Sequence, residues 1–217
     1  NEDLISRFPI GEDVKVMGVR QSNEILLTCA VPFLSLKIRD LGEYRKTKTA
    51  VQQSIQAYAE ALNKRSVRVD LNMADDEDAN AVYLTLTGTS TECGDDGATG
   101  RGNRITGLIT PFRATSLEAV AGKNPISHTG KIYNVLALLA AQAIVARVAA
   151  VRQVEVILLS QIGRSLDQPL VAIATVSAVN GILTSAIKAE VTAILDEHLA
   201  NISQVRHKII NGEVNLF

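Results

Sequence analysis

Gly88-Thr89-Ser90-Thr91-Glu92-Cys93-Gly94-Asp95-Asp96-Gly97-Ala98-Thr99-Gly100-Arg101-Gly102-Asn103-Arg104-Ile105-Thr106-Gly107 divides the chain in two. Glycine recurs every few positions and large apolar side chains are almost absent, so no core element fits here. A loop of this length inside a compact domain is uncommon and is usually functional. Upstream, the pattern predicts strands at 14–20 and 25–33 with Ser22-Asn23 at hairpin distance. A helix is expected at 41–63, where Tyr44, Val51, Ile55, Tyr58 and Leu62 recur at helical spacing. Strands at 67–73 and 81–87 follow, joined by a loop at 74–80. Downstream come a short strand at 108–112, a polar loop at 113–129, an apolar helix at 130–149, strands at 154–162 and 170–177, a helix at 185–199, and a last helical stretch to about Ile210. Adjacent strand pairs predict α+β architecture with antiparallel-rich sheets, not a parallel doubly wound sheet. The expected units are 11–91 and 92–217, the second echoing the first in its elements. Segments 25–33 and 170–177 are apolar on both faces, so each needs cover on both sides, from helices or another subunit's sheet.

The 217 residues, 47% hydrophobic and 21% charged, suit a soluble globular protein with a real core. A net charge of −1 gives the whole chain no electrostatic reason to bind nucleic acid or an anionic membrane, so any anion site is local. Residues 132–151 approach the length of a membrane span. Asn134, Gln142 and Arg147 inside that span make a core helix the better reading. Cys29 and Cys93 form no disulfide framework, and a reducing cytosol is expected. No signal peptide is expected from the charged opening residues. A chain opening on Asn1 is expected to begin inside a longer product or to have been trimmed.

Three stretches carry candidate chemistry. In 94–104, glycines let the backbone approach a ligand, and successive amides in such turns form anion-binding concavities. Arg101 and Arg104 supply planar cations that fork onto phosphate oxygens. Asp95 and Asp96 suit a metal, an ammonium group or ribose hydroxyls. Neither a P-loop nor a dinucleotide fingerprint is present; a purely structural glycine loop stays open as the alternative. In 121–131, Lys123 and Lys131 flank the start of the apolar helix, where Ser127 or Thr129 is the expected N-cap. A helix N-terminus suits phosphate, and lysines there oppose the helix dipole unless a polyanion is bound; incidental lysines on a surface loop are the alternative. His128 can donate to phosphate or simply cap. The acidic run Asp75-Asp76-Glu77-Asp78 lacks the spacing of a calcium loop and reads as a solvated hairpin tip, with a metal loop as the alternative. His198 and His207 read as surface residues, and Cys93 as a small filler.

The blocks Thr87-Gly88-Thr89-Ser90, Gly94-Asp95-Asp96-Gly97 and Gly100-Arg101-Gly102-Asn103-Arg104 resemble the signature of archaeal-type S-adenosylmethionine synthetases. So do Ala121-Gly122-Lys123-Asn124-Pro125, His128, Gly130-Lys131-Ile132-Tyr133-Asn134 and Leu159-Ser160-Gln161-Ile162-Gly163. The resemblance extends over nearly the whole chain and implies pseudo-repeated α+β units with helices on one face of each sheet. It implies formation of S-adenosylmethionine from ATP and methionine, with release of diphosphate and phosphate. It also implies Mg2+ and K+, and a homodimer with sites at the subunit interface. By motif match, Asp95 contacts methionine or ribose, with Asp96 grouped beside it; Arg101 and Lys123 bind the phosphates and carry catalysis. Arg104, Lys131 and His128 complete the phosphate set. The family's lysine after Thr-Gly-Arg falls on Gly102 here, so Arg104 is the candidate substitute. The family's magnesium aspartate falls near Thr129, so this segment assigns no metal ligand. No Gly-His-Pro-Asp motif occurs, and the chain reads as a C-terminal half. A non-catalytic dimerising or regulatory fragment is the competing expectation.

Overall fold

A computed structural model describes residues 2–89, 104–106, 116 and 119–216. The chain forms two compact units, Asn1–Gly97 and Ala98–Phe217. Together they make a mixed α+β protein with small sheets.

In the first unit, helix α1 (Glu2–Arg7) precedes strands β1 (Lys15–Gln21) and β2 (Glu24–Ala30). These two pair antiparallel from Lys15↔Ala30 to Gln21↔Glu24. The turn holds Ser22 at φ 53, in the left-handed region a tight hairpin requires. The expected strand at 25–33 breaks into β2 and β3 (Phe33–Leu34) around Pro32, which has no N–H to give a ladder. Helix α2 (Leu41–Leu62) starts where the Asp40 carboxylate accepts the Glu43 N–H at 2.8 Å. It buries Tyr44 and Val51, with Leu41, Ile55 and Ala59 partly buried beside them. Tyr58 and Leu62, expected on that face, are 70% and 69% exposed.

The expected hairpin of 67–73 with 81–87 does not form. Strand β4 (Ser66–Leu71) instead lies parallel to β2, from Glu24↔Ser66 to Cys29↔Leu71. An intervening helix carries the chain back to its starting end, which favours parallel return. Strand β5 has only Leu84–Thr85 and pairs parallel with β3. Pairing among the described residues is therefore mixed, with sheet order β1-β2-β4. The Gln52 side chain donates to the Val69 carbonyl at 2.6 Å, and Gln56 donates to the Val67 carbonyl. The edge of β4 is thereby clipped by α2.

The acidic run is not uniformly solvated. Asp76 closes a local turn by bridging to Ala81, and Glu77 pairs with Arg45. The Asp75 side chain, however, is only 5% exposed. One carboxylate oxygen accepts the Tyr44 hydroxyl at 2.6 Å and the Lys48 ammonium at 2.7 Å; the other accepts the Tyr83 N–H at 3.0 Å. Buried Asn72 continues the network: it accepts the Val31 N–H at 2.8 Å and donates to the Val31 carbonyl at 2.9 Å and to the Tyr44 hydroxyl at 3.1 Å. Burial, chiefly, and the Asp75 carboxylate hold the Tyr44 phenol neutral well above its ordinary range.

Gly11 and Gly88 touch backbone to backbone. A Cβ on Gly11 would stand 2.2 Å from the Gly88 Cα, and Gly88 itself has φ +78°. Because backbone cannot move aside like a flexible side chain, Gly11→Ala is expected to cost about 2–3 kcal/mol. Urea unfolding followed by circular dichroism measures it; a cost under ~0.5 kcal/mol, the range of a neutral surface change, would show that the contact yields.

In the second unit, helix α3 (Thr129–Arg147) packs on strand β6 (Val151–Leu159) and helices α4 (Ser185–Ala200) and α5 (Ile202–Ile210). It buries Ile132, Val135, Leu136, Ala140 and Ile144 and exposes Gln142 and Arg147. It is long and apolar enough to cross a membrane by composition, yet its apolar side lies in two core clusters of this unit. Strand β7 (Val171–Ala178) pairs antiparallel with β6. Val154, Val156, Ala174 and Val176 face the core. On the other face the paired Ile157 and Ile173 are 45% and 46% exposed. The expected strand at 108–112 lies outside the described residues.

Candidate functional site

The head of α3 is built by a loop that folds on itself. Asn124 accepts the Ile126 and Ser127 N–H groups with its side-chain oxygen, at 2.8 and 3.2 Å, and its carbonyl accepts the His128 N–H at 3.2 Å. Gly122, at φ +77°, gives the left-handed turn before Lys123.

The N-cap is His128, not Ser127 or Thr129. Its Nδ1 accepts the Gly130 N–H at 3.1 Å, which places the neutral ring's proton on Nε2. The His128 carbonyl accepts the Lys131 and Ile132 N–H groups at 3.0 and 3.2 Å. This turn therefore satisfies most of its own amides. What it offers an anion is side-chain cations rather than bare backbone donors.

Those cations converge. The Lys123 Cε lies 3.4 Å from where a Cβ on Gly130 would stand, so glycine at 130 leaves room for the lysine to cross the helix head. Lys131, in the first turn, is 6% exposed. No carboxylate among the described residues pairs with it. Burial, first, and the nearby Lys123 charge, second, both pull the Lys131 ammonium below its ordinary pKa. Lys131, desolvated and beside a second lysine, is a group that an anion relieves.

Arg104 is tied to the same turn. Its Nε donates to the Ser116 carbonyl at 2.9 Å. Asn134, one turn into α3, donates to the Gly130 carbonyl at 2.6 Å and to the Ser116 hydroxyl at 3.4 Å. Lys123, His128, Lys131 and, through Ser116 and Asn134, Arg104 thus gather at one end of α3. Arg101, Asp95 and Asp96 lie outside the described residues, as does Cys93. Sequence reasoning gave no role to Ser116 or Asn134; the available signal was an amide placed four residues after Gly130 in an otherwise apolar helix.

The other titratable candidates stand apart from this site. The buried Cys29 thiol is pushed up by burial and then by Asp70, which disfavours the reactive thiolate. His198 donates Nδ1–H to the Ile194 carbonyl at 2.8 Å, and His207 is exposed. Among the described residues no three His, Cys, Asp or Glu side chains come together as a metal set. The groups at the head of α3 are cationic and do not fit a divalent ion.

A family profile described as S-adenosylmethionine synthetase (AdoMet synthetase) matches residues 2–213. Among curated proteins, the S-adenosylmethionine synthase of Sulfurisphaera tokodaii is 47% identical over 219 residues, covering 100% of this chain and 54% of that protein. The namesake of Methanoregula boonei is 45% identical over 99% of this chain and 54% of its own length. That of Pyrococcus furiosus is 45% identical over 100% of this chain and 54% of its own. The chain spans about half the length of the curated relatives it matches. A profile match across residues 2–213 and near-complete coverage by these relatives together make the chain a member of the S-adenosylmethionine synthetase family.

Proposed function

We propose that this chain contributes the triphosphate-binding part of an enzyme that forms S-adenosylmethionine from ATP and methionine. In that reaction the methionine sulfur forms a bond to the ribose 5′ carbon while the bond from that carbon to triphosphate breaks, its electrons going to the leaving oxygen. Negative charge grows on the triphosphate, so fixed cations at its position stabilise the transition state more than the ground state. Lys123 and Lys131 are assigned to phosphate oxygens, with His128 as an Nε2–H donor and Arg104, together with Arg101, as guanidinium clamps. Asp95 and Asp96 are assigned to methionine or ribose. The observation that carries this reading is Lys131, buried beside Lys123 with no acidic partner among the described residues.

Magnesium and potassium belong to this proposal through the family alone, and no step is derived through either. A homodimer with interfacial sites likewise rests on the family alone, while units 11–91 and 92–217 rest on the pattern of elements and a cytoplasmic setting on the two cysteines. The test is calorimetric titration of the 217-residue chain with tripolyphosphate. Saturable binding is expected, weakened about tenfold or more in Lys123→Ala, the scale of a lost charge-assisted contact. Absence of binding would sink the assignment. Phosphate release from ATP, methionine and magnesium by this chain alone should be weak or nil; robust turnover would refute the need for the rest of the longer protein. One observation favours the second reading, a non-catalytic dimerising or regulatory fragment: the uncovered Ile157–Ile173 face of β6–β7. Unchanged tripolyphosphate affinity in Lys123→Ala, with self-association intact, would favour it.

A further inference from the structure

Asn134 is out of place by helix rules. It lies in a helix whose neighbouring residues Tyr133, Val135 and Leu136 are buried. Asparagine is a poorer helix former than alanine or leucine, because its amide competes for backbone groups. A local rule broken inside an apolar element calls for a compensating contact.

Its contacts supply one. The side-chain amide gives one N–H to the Gly130 carbonyl at 2.6 Å, in the turn that carries Lys131 and follows His128. It also reaches the Ser116 hydroxyl at 3.4 Å. Ser116 in turn presents its carbonyl to the Arg104 Nε at 2.9 Å. A hydrogen bond at Nε anchors the near end of the guanidinium and leaves its two terminal nitrogens, coplanar with Nε, to face a ligand. One side chain of α3 thus sits at the junction between the helix head and the serine that orients Arg104.

We propose that Asn134 is a positioning residue. It registers Ser116, and through it Arg104, onto the first turn of α3, so that the arginine joins Lys123 and Lys131 as one anion clamp. The proposal rests on the triphosphate-binding reading of that site and adds the element that assembles it. Asn134 makes no direct contact with the anion in this scheme; its effect passes entirely through Arg104.

A double-mutant cycle tests it in the 217-residue chain, with tripolyphosphate as the probe and circular dichroism confirming that each variant folds. Asn134→Ala is expected to weaken binding roughly tenfold, within the range of coupled neighbours. Arg104→Ala should cost a similar factor alone and almost nothing further in the Asn134→Ala background. Lys123→Ala should cost the same in both backgrounds. Full additivity of Arg104→Ala and Asn134→Ala overturns the proposal, as does unchanged affinity in Asn134→Ala. Loss of helix in Asn134→Ala moves the cycle to Asn134→Ser, which keeps a donor to the Gly130 carbonyl but is too short to reach Ser116 as well. A second readout needs no ligand. The Arg104 Nε–H nuclear magnetic resonance signal should be slow to exchange in the parent and fast in the variant. If tripolyphosphate does not bind but this protection is lost on substitution, the positioning role stands and the triphosphate reading falls. If protection is unchanged, the positioning role falls whatever the anion does.

Discussion

Asp75→Ala is expected to lower the stability of the first unit by about 3–5 kcal/mol, the cost of removing one partner from a buried ion pair. The substitution leaves the Lys48 ammonium, 19% exposed, without its carboxylate and takes acceptors from the Tyr44 hydroxyl and the Tyr83 N–H. A loss of that size is a large part of the roughly 5–15 kcal/mol that holds a typical domain folded. Asp75→Asn keeps the volume and one acceptor oxygen and should cost less. Urea unfolding followed by far-ultraviolet circular dichroism is the measurement, because the chain has no tryptophan. A change below ~1 kcal/mol, what an exposed pair contributes, would show the carboxylate to be solvated after all.

Lys131→Met is expected to move stability and anion binding in opposite directions. Removing a desolvated ammonium that has no acidic partner among the described residues should raise stability by on the order of 1 kcal/mol, while tripolyphosphate affinity falls ten- to a hundredfold. Opposed effects of this kind mark a residue kept for binding rather than for folding. The pH dependence follows from the sign of the shift. Folding depresses the Lys131 pKa, so the unfolded chain holds that proton more tightly. The penalty is fully present at neutral pH, and stability should rise as pH climbs through the depressed pKa toward the unfolded value near 10.4. Lys131→Met should erase that increment in an alkaline stability series. If the variant were less stable than the parent, the ammonium would have a stabilising partner, and the clamp reading would be lost with it.

Helix α2 could be read from the sequence because Tyr44, Val51 and Ile55 recur at helical spacing, and α3 because its apolar run is too long for a strand. The β1–β2 hairpin followed from two strand-forming runs separated by a two-residue turn. What failed was partner choice. Alternation in 67–73 says that a strand forms there, but the ladder it joins is decided by the path of α2, and neighbours in sequence were the wrong guess. Helix α1 is six residues long, too short to show a period. Asp75 looked solvated among its acidic neighbours because Tyr44 and Lys48 lie about thirty residues away in the chain. At the site, the loop and helix that hold Lys123 and Lys131 were legible from their glycines and charges. The burial of Lys131 was not, since it depends on the packing of the whole helix head. Capping was one of the two roles open to His128, yet Ser127 and Thr129 were preferred because histidine lies outside the usual capping set.

The glutamines that clip β4 restrict how the first sheet can be extended. With the Val67 and Val69 carbonyls already engaged by α2, a further strand cannot hydrogen-bond along that side without first dislodging Gln52 and Gln56. Among the described residues the outer margin of β1 carries no strand. Growth of this sheet, whether by a further segment or by a misfolded neighbour, is therefore directed to β1, and Gln52→Ala with Gln56→Ala would open a second direction for aggregation.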